Sequence, residues 1–443
     1  MIKILRVPCL PTGRHTIPLK TNNFNSMNYY TRIVEEEIKQ KLQASGALLI
    51  KGPKSCGKTE TAKQFAESML QVDRDEQVPI VMSVNPKILL EGKTPRLIDE
   101  WQEQPKLWNY VRHEVDDRKK KAQFILTGSS NPEEEIKLHS GAGRFTIVEM
   151  QTMSWQEMGY SSGAVSLKAL LNGETVAYSD NNLSVDLIIE RMIKGGWPAL
   201  LNTSLNEAIL LNRSYVDLLA EADMSRVSNV KRDPQKVRSL LRSLARNIAT
   251  LVDNTTLGKD IKAVENTDLS RPTIIDYLNA LSQLMIFEEQ AAFNTHIRSS
   301  SALRKSPKRH FCDVSLAIAA LKLDKKRLMN DLKYCGFLFE SLVYHDLKMY
   351  AIANEAEISH YRDSTGLEVD AIVQQSGGAW AAFEVKLGIG MLDDAASNLL
   401  KFNELIDEKK YTKPASLNII TGTGMSFTRP DGINVISLAS LGK

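Results

Sequence analysis

The fold of this chain is decided by the stretch Gly52-Pro53-Lys54-Ser55-Cys56-Gly57-Lys58-Thr59. The stretch matches the pattern G-x-x-x-x-G-K-[S/T] at every position, follows the apolar run 47–51 and precedes the helical pattern 59–70. A strand, a glycine-rich loop and a helix in this order bind phosphate, because the glycines let backbone N–H groups turn toward the anion at the positive end of the helix. The sequence therefore predicts a loop that holds the phosphates of a nucleotide.

The individual residues of this loop have distinct expected tasks. We expect Lys58 to reach the β- and γ-phosphates of ATP and the Thr59 hydroxyl to bind Mg²⁺. ATP and Mg²⁺ are therefore the predicted cofactors. The residues that we predict to contact the nucleotide are Gly52, Pro53, Lys54, Ser55, Cys56, Gly57, Lys58, Thr59 and Glu60.

An acidic pair follows further along the chain, where the apolar run Arg96-Leu-Ile ends in Asp99 and Glu100. Two acids after a strand are usually only the start of a loop, but downstream of a phosphate-binding loop they are typical of a hydrolytic site. We expect Asp99 to hold Mg²⁺, directly or through water, and Glu100 to orient and deprotonate the attacking water.

Two further polar positions border apolar runs, one at the end of a run and one just before the next. The run 124–130 ends in hydroxyl groups, of which we choose Ser129 as the sensor of the γ-phosphate; a hydroxyl that caps the next helix is the alternative. Arg144 directly precedes the run 145–150. We predict that it reaches a γ-phosphate, in the same chain or from a neighbouring subunit; an ordinary arginine at a strand edge is the alternative.

The order of the apolar runs predicts the architecture. Runs at 46–52, 79–84, 96–101, 124–130 and 145–150 alternate with helical patterns. This alternation is typical of an α/β unit with a mostly parallel sheet. Later segments are helical up to about residue 290, and the helix that begins at Ser270-Arg271-Pro272-Thr273 has the rhythm of a helix-turn-helix. We predict a tail at 1–27 (with Met27 as an alternative start), an ATPase domain at 28–150, a helical lid at 151–230, a winged-helix-like segment at 231–298 and an α/β domain at 299–443.

Taken in order, these elements resemble AAA-type P-loop ATPases of the archaeal and STAND-like subgroup. The resemblance also rests on Gly143-Arg144 before the last strand and on Gly195-Gly196-Trp197-Pro198 in the lid, and it covers roughly residues 30–225. It implies a five-stranded nucleotide domain, a small helical lid and rearrangement driven by the nucleotide.

The C-terminal region carries a second constellation, Glu368-Val-Asp370 followed by Glu384-Val-Lys386. Residues two apart on a strand share a face, so two adjacent strands could bring Asp370 and Glu384 together around one divalent metal. Carboxylate oxygens suit Mg²⁺ or Mn²⁺, and Lys386 would lie beside the attacking water or the scissile phosphate. We therefore predict Asp370, Glu384 and Lys386 as catalytic residues.

This pattern resembles the signature of the PD-(D/E)xK nuclease superfamily, whose members have the restriction-endonuclease-like fold. Glu340 matches the acid that this fold often has in its first helix, so the resemblance adds Glu340 to the predicted metal ligands Asp370 and Glu384. The chain has no proline before Asp370, which departs from the pattern that gives the superfamily its name. A degenerate domain that binds nucleic acid or protein without cutting is the alternative.

Nearly the whole chain resembles a family of prokaryotic ATP-binding proteins with a C-terminal nuclease-like domain. The segments that carry this resemblance are LIDEWQ at 97–102, FILTGSS at 124–130, RHFCDVSLAIAAL at 309–321 and GLEVDAIV at 366–373. One hypothesis is an ATPase whose nucleotide state controls a nuclease acting on DNA or RNA. The other is a nucleotide-dependent switch whose C-terminal domain does not cleave.

Charge and composition bear on the partners. The net charge is +3, but residues 231–310 hold 14 basic and 8 acidic side chains. A basic middle suits a polyanion such as DNA or RNA, although a solvated helical face explains it almost as well. In the helix-turn-helix segment, Arg271 and Asn279 have the spacing expected of contact residues. A homo-oligomer would allow Arg144 to act between subunits.

The same composition argues against several other classes of protein. No apolar run approaches the ~20 residues of a membrane helix, so we expect no membrane partner. The 4 cysteines have no C-x-x-C spacing and the histidines no H-x-x-x-H spacing, so neither a zinc site nor a disulfide framework is indicated. We therefore expect a reduced, cytoplasmic, multidomain protein.

Overall fold

The computed structural model describes residues 29–129, 141–180, 183–227, 230–293, 306–408 and 411–443. The predicted tail at 1–27 and the alternative start at Met27 lie outside these residues, as does Ser130.

The first part of the chain is built around a parallel sheet. Among the described residues, five strands lie in the order β2-β3-β4-β1-β5, and every neighbouring pair is parallel. Alternate residues of β1 face opposite sides, so Leu49 packs with the helix that contains Trp108, whereas Leu48 packs with the helix that contains Ile38. The prediction of an α/β domain with a parallel sheet is confirmed. Its elements are α1 Glu35–Ala44, β1 Ala47–Lys51, α2 Lys58–Lys63, β2 Ser68–Gln71, α3 Val78–Val84, β3 Arg96–Asp99, α4 Leu107–Arg118, β4 Phe124–Gly128 and β5 Phe145–Glu149.

Two expectations about this sheet are wrong. The helix expected over 59–70 ends at Lys63, and Ser68–Gln71 is an edge strand that buries only Leu70. The apolar run 79–84, expected as a strand, lies in helix α3, where Pro79 occupies the first turn. Proline is favoured in that turn, since its missing N–H would have no partner there. The apolar character of the run does not reflect burial, because Ile80 is 65% and Val84 80% exposed.

Residues 151–230 are mainly helical from residue 185 onward, and the part before it holds two short strands and one short helix. Their elements are β6 Val165–Ser166, α5 Leu167–Leu171, β7 Ser179–Asp180, α6 Val185–Lys194, α7 Leu205–Leu218, a π-helical turn Leu219–Asp223 and α8 Met224–Arg226. The two short strands pair with the end of the chain, Val165 with Leu441 and Asp180 with Met425. The first half of the predicted lid segment is therefore joined to the C-terminal domain.

The next segment contains three helices followed by an antiparallel ribbon. The elements are α9 Pro234–Arg246, α10 Asn254–Glu265, α11 Arg271–Gln283, β8 Phe287–Gln290, β9 Lys308–Phe311, α12 Val314–Ala320 and α13 Lys325–Met329. In the ribbon, Phe287 pairs with Phe311 and Gln290 with Lys308. The ribbon therefore joins residues on both sides of the predicted boundary between 298 and 299.

The C-terminal domain places one long helix against a mixed sheet. Strands β10, β11 and β12 are antiparallel neighbours, β12, β13 and β15 are parallel neighbours, and β14 completes the sheet beside β7. Within the described ranges, no helix combines the length and the apolar character needed to cross a membrane. The elements are α14 Leu332–Ala353, β10 Ala356–Arg362, β11 Glu368–Gln375, β12 Trp380–Lys386, α15 Leu392–Glu404, β13 Ser416–Thr421, β14 Met425–Thr428, β15 Asn434–Ser437 and β16 Leu441–Gly442.

Candidate functional site

The phosphate-binding loop connects the end of β1 to the start of α2. A side chain at Gly52 would put a Cβ atom 2.2 Å from the Met150 carbonyl oxygen, so the backbone packs there only because the residue is glycine. Gly57 has φ +101° and serves as the N-cap of α2. That backbone conformation favours glycine and turns the chain into the helix, where the N–H groups of the first turn have no helical acceptor.

Lys58 lies within the loop with its ammonium group turned toward the loop carbonyls. The side chain is buried, and Nζ donates hydrogen bonds of 3.0 Å to the Gly52 oxygen and 2.9 Å to the Pro53 oxygen. Phosphate oxygens are stronger acceptors than these carbonyls because they carry charge. The ammonium is therefore already positioned beside the anion site.

The Asp99 side chain, at the end of β3, accepts hydrogen bonds from side chains of α2 and β4. The Thr59 hydroxyl of α2 donates a 2.8 Å hydrogen bond to Asp99 Oδ1, and the Thr127 hydroxyl of β4 donates to the same oxygen. The register of the sheet explains the second contact, because Asp99 lies directly opposite Thr127. A carboxylate and a hydroxyl side by side are the oxygen ligands that Mg²⁺ prefers.

Glu100 directly follows β3 in a left-handed backbone conformation, with φ 54° and ψ 44°. Burial raises the pKa of its carboxyl group above the usual range, while the hydrogen bond from Gln102 and the charge of Lys58 act in the opposite direction. A carboxylate whose pKa is raised toward neutrality is a better proton acceptor at the pH of hydrolysis. The role of Glu100 as a general base stays a prediction.

Other predicted nucleotide-site residues lie close to the loop with different contacts. Ser129 is buried just beyond the end of β4. Cys56 is buried with its Sγ atom 3.8 Å from the Met150 oxygen. The Glu60 side chain is half-exposed on α2 and forms an ion pair of 2.6 Å with Lys63.

Arg144 is not brought to the phosphate-binding loop of its own chain. Strand β5 runs parallel to β1, with Phe145 opposite Ala47, so the residue before β5 lies at the end of the sheet opposite to the loop. There the Arg144 Nε atom donates a 2.8 Å hydrogen bond to Asp116 on α4. A role toward the nucleotide in the same chain does not fit this position, and action on a neighbouring subunit stays a prediction.

Contacts that the sequence pattern did not indicate hold the loop from two sides. The Arg32 guanidinium is buried, donates 2.8 Å hydrogen bonds to the Cys56 and Gln151 carbonyl oxygens, and forms a 3.0 Å ion pair with Glu157. On the other side, Lys54 forms an ion pair with an acid of the π-helical turn, Asp223. These partners are distant in sequence and belong to no motif, so only the fold reveals them.

The residues Asp370, Glu384 and Lys386 lie close together on the two adjacent strands β11 and β12. The Val385 backbone N–H of β12 donates a 2.9 Å hydrogen bond to Asp370 Oδ2 of β11. The Lys386 ammonium lies 2.6 Å from Glu384 and 3.8 Å from Asp370. Burial raises the pKa of Glu384 to about 7, with the neighbouring Asp370 charge acting in the same direction.

A lysine of the β8–β9 ribbon lies among the same carboxylates. Lys308, the first residue of β9, is 1% exposed, and its Nζ atom lies 2.6 Å from Glu340, 2.8 Å from Glu368 and 3.1 Å from Asp370. Burial opposes its charge, yet the three described carboxylates raise its pKa well above the usual range. Burial likewise raises the pKa of Glu340 to about 8, and the Asp370 charge adds to the shift.

This lysine lies where we predicted a metal centre at Glu340, Asp370 and Glu384, and the metal centre stays a prediction. In the ranges that the structure describes, no group of three or more histidine, cysteine, aspartate or glutamate side chains is arranged to hold a metal ion. The ammonium group of Lys308 lies between Glu340 and Asp370, which a shared ion would have to bridge. With Lys308 in this position, the carboxylates leave no place for Mg²⁺ or Mn²⁺ between Glu340 and Asp370.

Comparison with protein families matches the chain in three parts. Residues 44–159 match the model of an AAA domain, residues 185–327 match a domain of unknown function (DUF8612), and residues 335–441 match another domain of unknown function (DUF4143). The phosphate-binding loop, the parallel sheet and the first of these matches define the N-terminal part as a P-loop ATPase domain.

Individual relatives are distant. Uncharacterized proteins of Mycobacterium bovis and Mycobacterium tuberculosis are each 23% identical over 385 residues, which covers 86% of this chain and 79% of theirs. Among solved structures, a Walker-type ATPase of Pyrococcus abyssi is 12% identical with a TM-score of 0.42, covering 67% of this chain and 97% of that one. RuvB of Thermotoga maritima is 15% identical with a TM-score of 0.27, covering 58% of this chain and 88% of that one.

Proposed function

We propose that this protein binds ATP with Mg²⁺ and hydrolyses it. It would work as a nucleotide-dependent switch that acts through its C-terminal domain. The observation that carries this proposal is the 2.8 Å contact between Thr59 and Asp99 beside the buried Lys58. It joins a hydroxyl, a carboxylate and an ammonium group at the carboxyl edge of a parallel sheet, which is the set that phosphoryl transfer requires.

The tasks of the residues follow from their positions. Backbone N–H groups of the loop and the Lys58 ammonium would hold the β- and γ-phosphates, and Thr59 and Asp99 would hold Mg²⁺. The ion, when bound, supplies positive charge to the phosphate oxygens. Glu100 would accept the proton of the attacking water. Ser129, buried at the end of the neighbouring strand, would sense whether the γ-phosphate is present.

Ion pairs on the π-helical turn connect it to the loop and to α9, and they support communication from the loop to the following domain. Lys54 of the loop pairs with Asp223 in the π-helical turn. Arg238 of α9 bonds Asp217 at 3.1 Å and Glu221 at 2.5 Å, and both acids are near that turn. Phosphate binding competes for the Lys54 ammonium, because both partners are anions. We propose that weakening of this pair is how the nucleotide state reaches α9.

A second candidate function is a metal-dependent nuclease under ATP control, with Mg²⁺ or Mn²⁺ at the C-terminal carboxylates. The observation that favours it is the convergence of Asp370, Glu384 and Lys386 on adjacent strands. The succession of a long helix, three antiparallel strands, a helix and a parallel strand supports a restriction-endonuclease-like fold. Lys308 among the carboxylates weighs against cleavage in this conformation.

We propose that nucleic acid is the partner on which this switch acts. The three helices α9–α11 and the antiparallel ribbon support a winged-helix interpretation, in which Arg271 and Asn279 of α11 would contact DNA or RNA. Arg144 lies at the edge of the ATPase domain and is half-exposed, which suits contact with a second copy of the chain. We propose that the protein acts in the cytoplasm, where ATP is abundant.

Two assays on the full-length protein test these proposals. Release of inorganic phosphate from ATP with Mg²⁺ should be present in the wild type and lost in Lys58→Ala; equal turnover in both proteins would remove the phosphate loop from the function. Incubation with single- and double-stranded DNA and RNA, with Mg²⁺ or Mn²⁺ and with or without ATP, tests the second candidate. Cleavage that disappears in Asp370→Ala would favour the nuclease, and intact substrate with ATP turnover preserved would favour the switch.

A further inference from the structure

Lys308 reaches the C-terminal carboxylates from a different part of the chain. It begins β9, which pairs with β8 after the three-helix segment, whereas Glu340 lies on α14 and Asp370 on β11. An ammonium group has three N–H donors, and Lys308 has three described carboxylates within 3.1 Å, those of Glu340, Glu368 and Asp370. Donors and acceptors are therefore matched in number at a position that solvent does not reach.

Three other carboxylate oxygens near the cluster, one of Asp370 and two of Glu384, also have protein partners. Asp370 Oδ2 accepts the Val385 backbone N–H at 2.9 Å. Glu384 accepts from the Lys386 ammonium and from the Asn398 amide, each at 2.6 Å. A divalent ion would have to displace several of these donors at once, because Mg²⁺ requires near-octahedral oxygen ligands at ~2.1 Å.

The ribbon that carries Lys308 is fixed to the C-terminal domain on both of its strands. Gln290 of β8 is 1% exposed and donates to the Ser359 oxygen at 3.0 Å and to the Asp370 backbone oxygen at 2.9 Å. His310 of β9 stacks on Tyr344 of α14, with ring centroids 4.0 Å apart. Lys308 can therefore leave the cluster only if the ribbon itself moves away from the domain.

We propose that Lys308 is the resident cation of the C-terminal acidic cluster and that the cluster takes no divalent metal while the β8–β9 ribbon is seated. The lysine supplies the positive charge that a metal would otherwise bring, so the carboxylates are stable together without an ion. Whether the cluster can bind a divalent ion then depends on whether the β8–β9 ribbon stays packed against the C-terminal domain. This inference concerns the C-terminal cluster alone and does not rest on ATP hydrolysis.

Mn²⁺ titration of the nucleotide-free, full-length protein, followed by electron paramagnetic resonance of the free ion, tests this proposal. The wild type should show no Mn²⁺ binding that depends on Asp370. Lys308→Ala, which removes the ammonium and leaves room for an ion, should gain an Asp370-dependent Mn²⁺ site at least about tenfold tighter than any Asp370-dependent binding in the wild type. The double variant Lys308→Ala/Asp370→Ala should lose that site. Because both variants keep Thr59 and Asp99, ions bound there contribute equally to both titrations and do not affect the difference between them.

Lys326, an exposed lysine on α13, provides a matched control, and Lys326→Ala should bind Mn²⁺ as the wild type does. Thermal unfolding gives a second readout, since Mn²⁺ should raise the melting temperature of Lys308→Ala more than that of the double variant. The proposal is overturned by Asp370-dependent Mn²⁺ binding to the wild type, or by a folded Lys308→Ala that gains no site. If Lys308→Ala does not fold, comparison of the wild type with Asp370→Ala still decides.

Discussion

The Thr59 hydroxyl donates a 2.8 Å hydrogen bond to the Asp99 carboxylate, and this contact ties the first turn of α2 to the end of β3. The two residues come from separate stretches of sequence, and the parallel sheet brings them together because both strands end at the same edge. The two residues that would hold the ion are thereby fixed relative to each other before any nucleotide binds. Such preorganisation lowers the cost of assembling the reacting groups.

Replacement of Lys58 tests the anion site. Lys58→Ala should weaken ATP binding by about 10–100-fold, because hydrogen bonds to charged groups contribute about 1.5–3 kcal/mol. Isothermal titration calorimetry with a slowly hydrolysed ATP analogue and Mg²⁺ measures the change. Lys63→Ala on the same helix is the control, since Lys63 pairs with Glu60 on its outer face and should leave the affinity unchanged. Unaltered affinity in Lys58→Ala would contradict the assignment of the loop.

Glu100 should separate binding from hydrolysis. Glu100→Gln keeps the size and the hydrogen-bonding capacity of the side chain but cannot accept the proton, so turnover should fall by about 10²–10⁴-fold while ATP affinity stays within a factor of about two. Single-turnover hydrolysis and equilibrium binding, measured on the same preparation, give the two numbers. Glu103→Gln, on an exposed glutamate three residues further along the chain, should behave as the wild type. Equal losses of binding and turnover would assign Glu100 to nucleotide binding instead.

The extent to which the sequence predicts these features depends on how local they are. The residues 52–59 and the pair Asp99-Glu100 are contiguous motifs, and adjacent strands bring Asp370, Glu384 and Lys386 together because their spacing of two places them on one face. Lys308 was one of 14 basic residues in a basic segment, and nothing in its neighbourhood distinguished it. Its role arises from a contact between segments that are far apart in sequence.

The same reasoning explains the errors in the fold. Strands β6 and β7 have two residues each, too few for any alternation of polar and apolar residues, and they exist because the end of the chain pairs with them. Strand β2 buries only Leu70, so its sequence has no strand pattern. Local patterns predicted the central strands β1, β3 and β4, which are largely buried, and the edge strand β5, whereas β2, β6 and β7 were missed.

Arg32 should be important for stability, because its ion pair with Glu157 is buried on both sides, with 2% exposure of each side chain. Arg32→Met should lower the free energy of unfolding by about 3–5 kcal/mol, since the Glu157 carboxylate would be left buried without its partner. Urea unfolding followed by tryptophan fluorescence measures the change. Lys39→Ala removes an exposed pair with Glu36 and should change stability by less than about 1 kcal/mol. Similar effects of the two substitutions would show that the buried pair is not a stabilising contact of the loop.

Glu340 should make the folded protein less stable as the pH rises. Carboxylates whose pKa is lowered by folding have the opposite effect. Burial raises its pKa from 4.5 to about 8 in the folded protein, so between these values the folded state holds a proton that the unfolded state has released. The free energy of unfolding should therefore fall as the pH rises through this window. Glu340→Gln cannot titrate, and it should lose less stability than the wild type between pH 5.5 and 8.5, measured by urea unfolding at each pH. Glu357→Gln, on an exposed glutamate of β10, is the control and should follow the wild type. A Glu340→Gln protein whose stability falls as steeply as that of the wild type would show that Glu340 is ionised throughout, held by Lys308 at 2.6 Å.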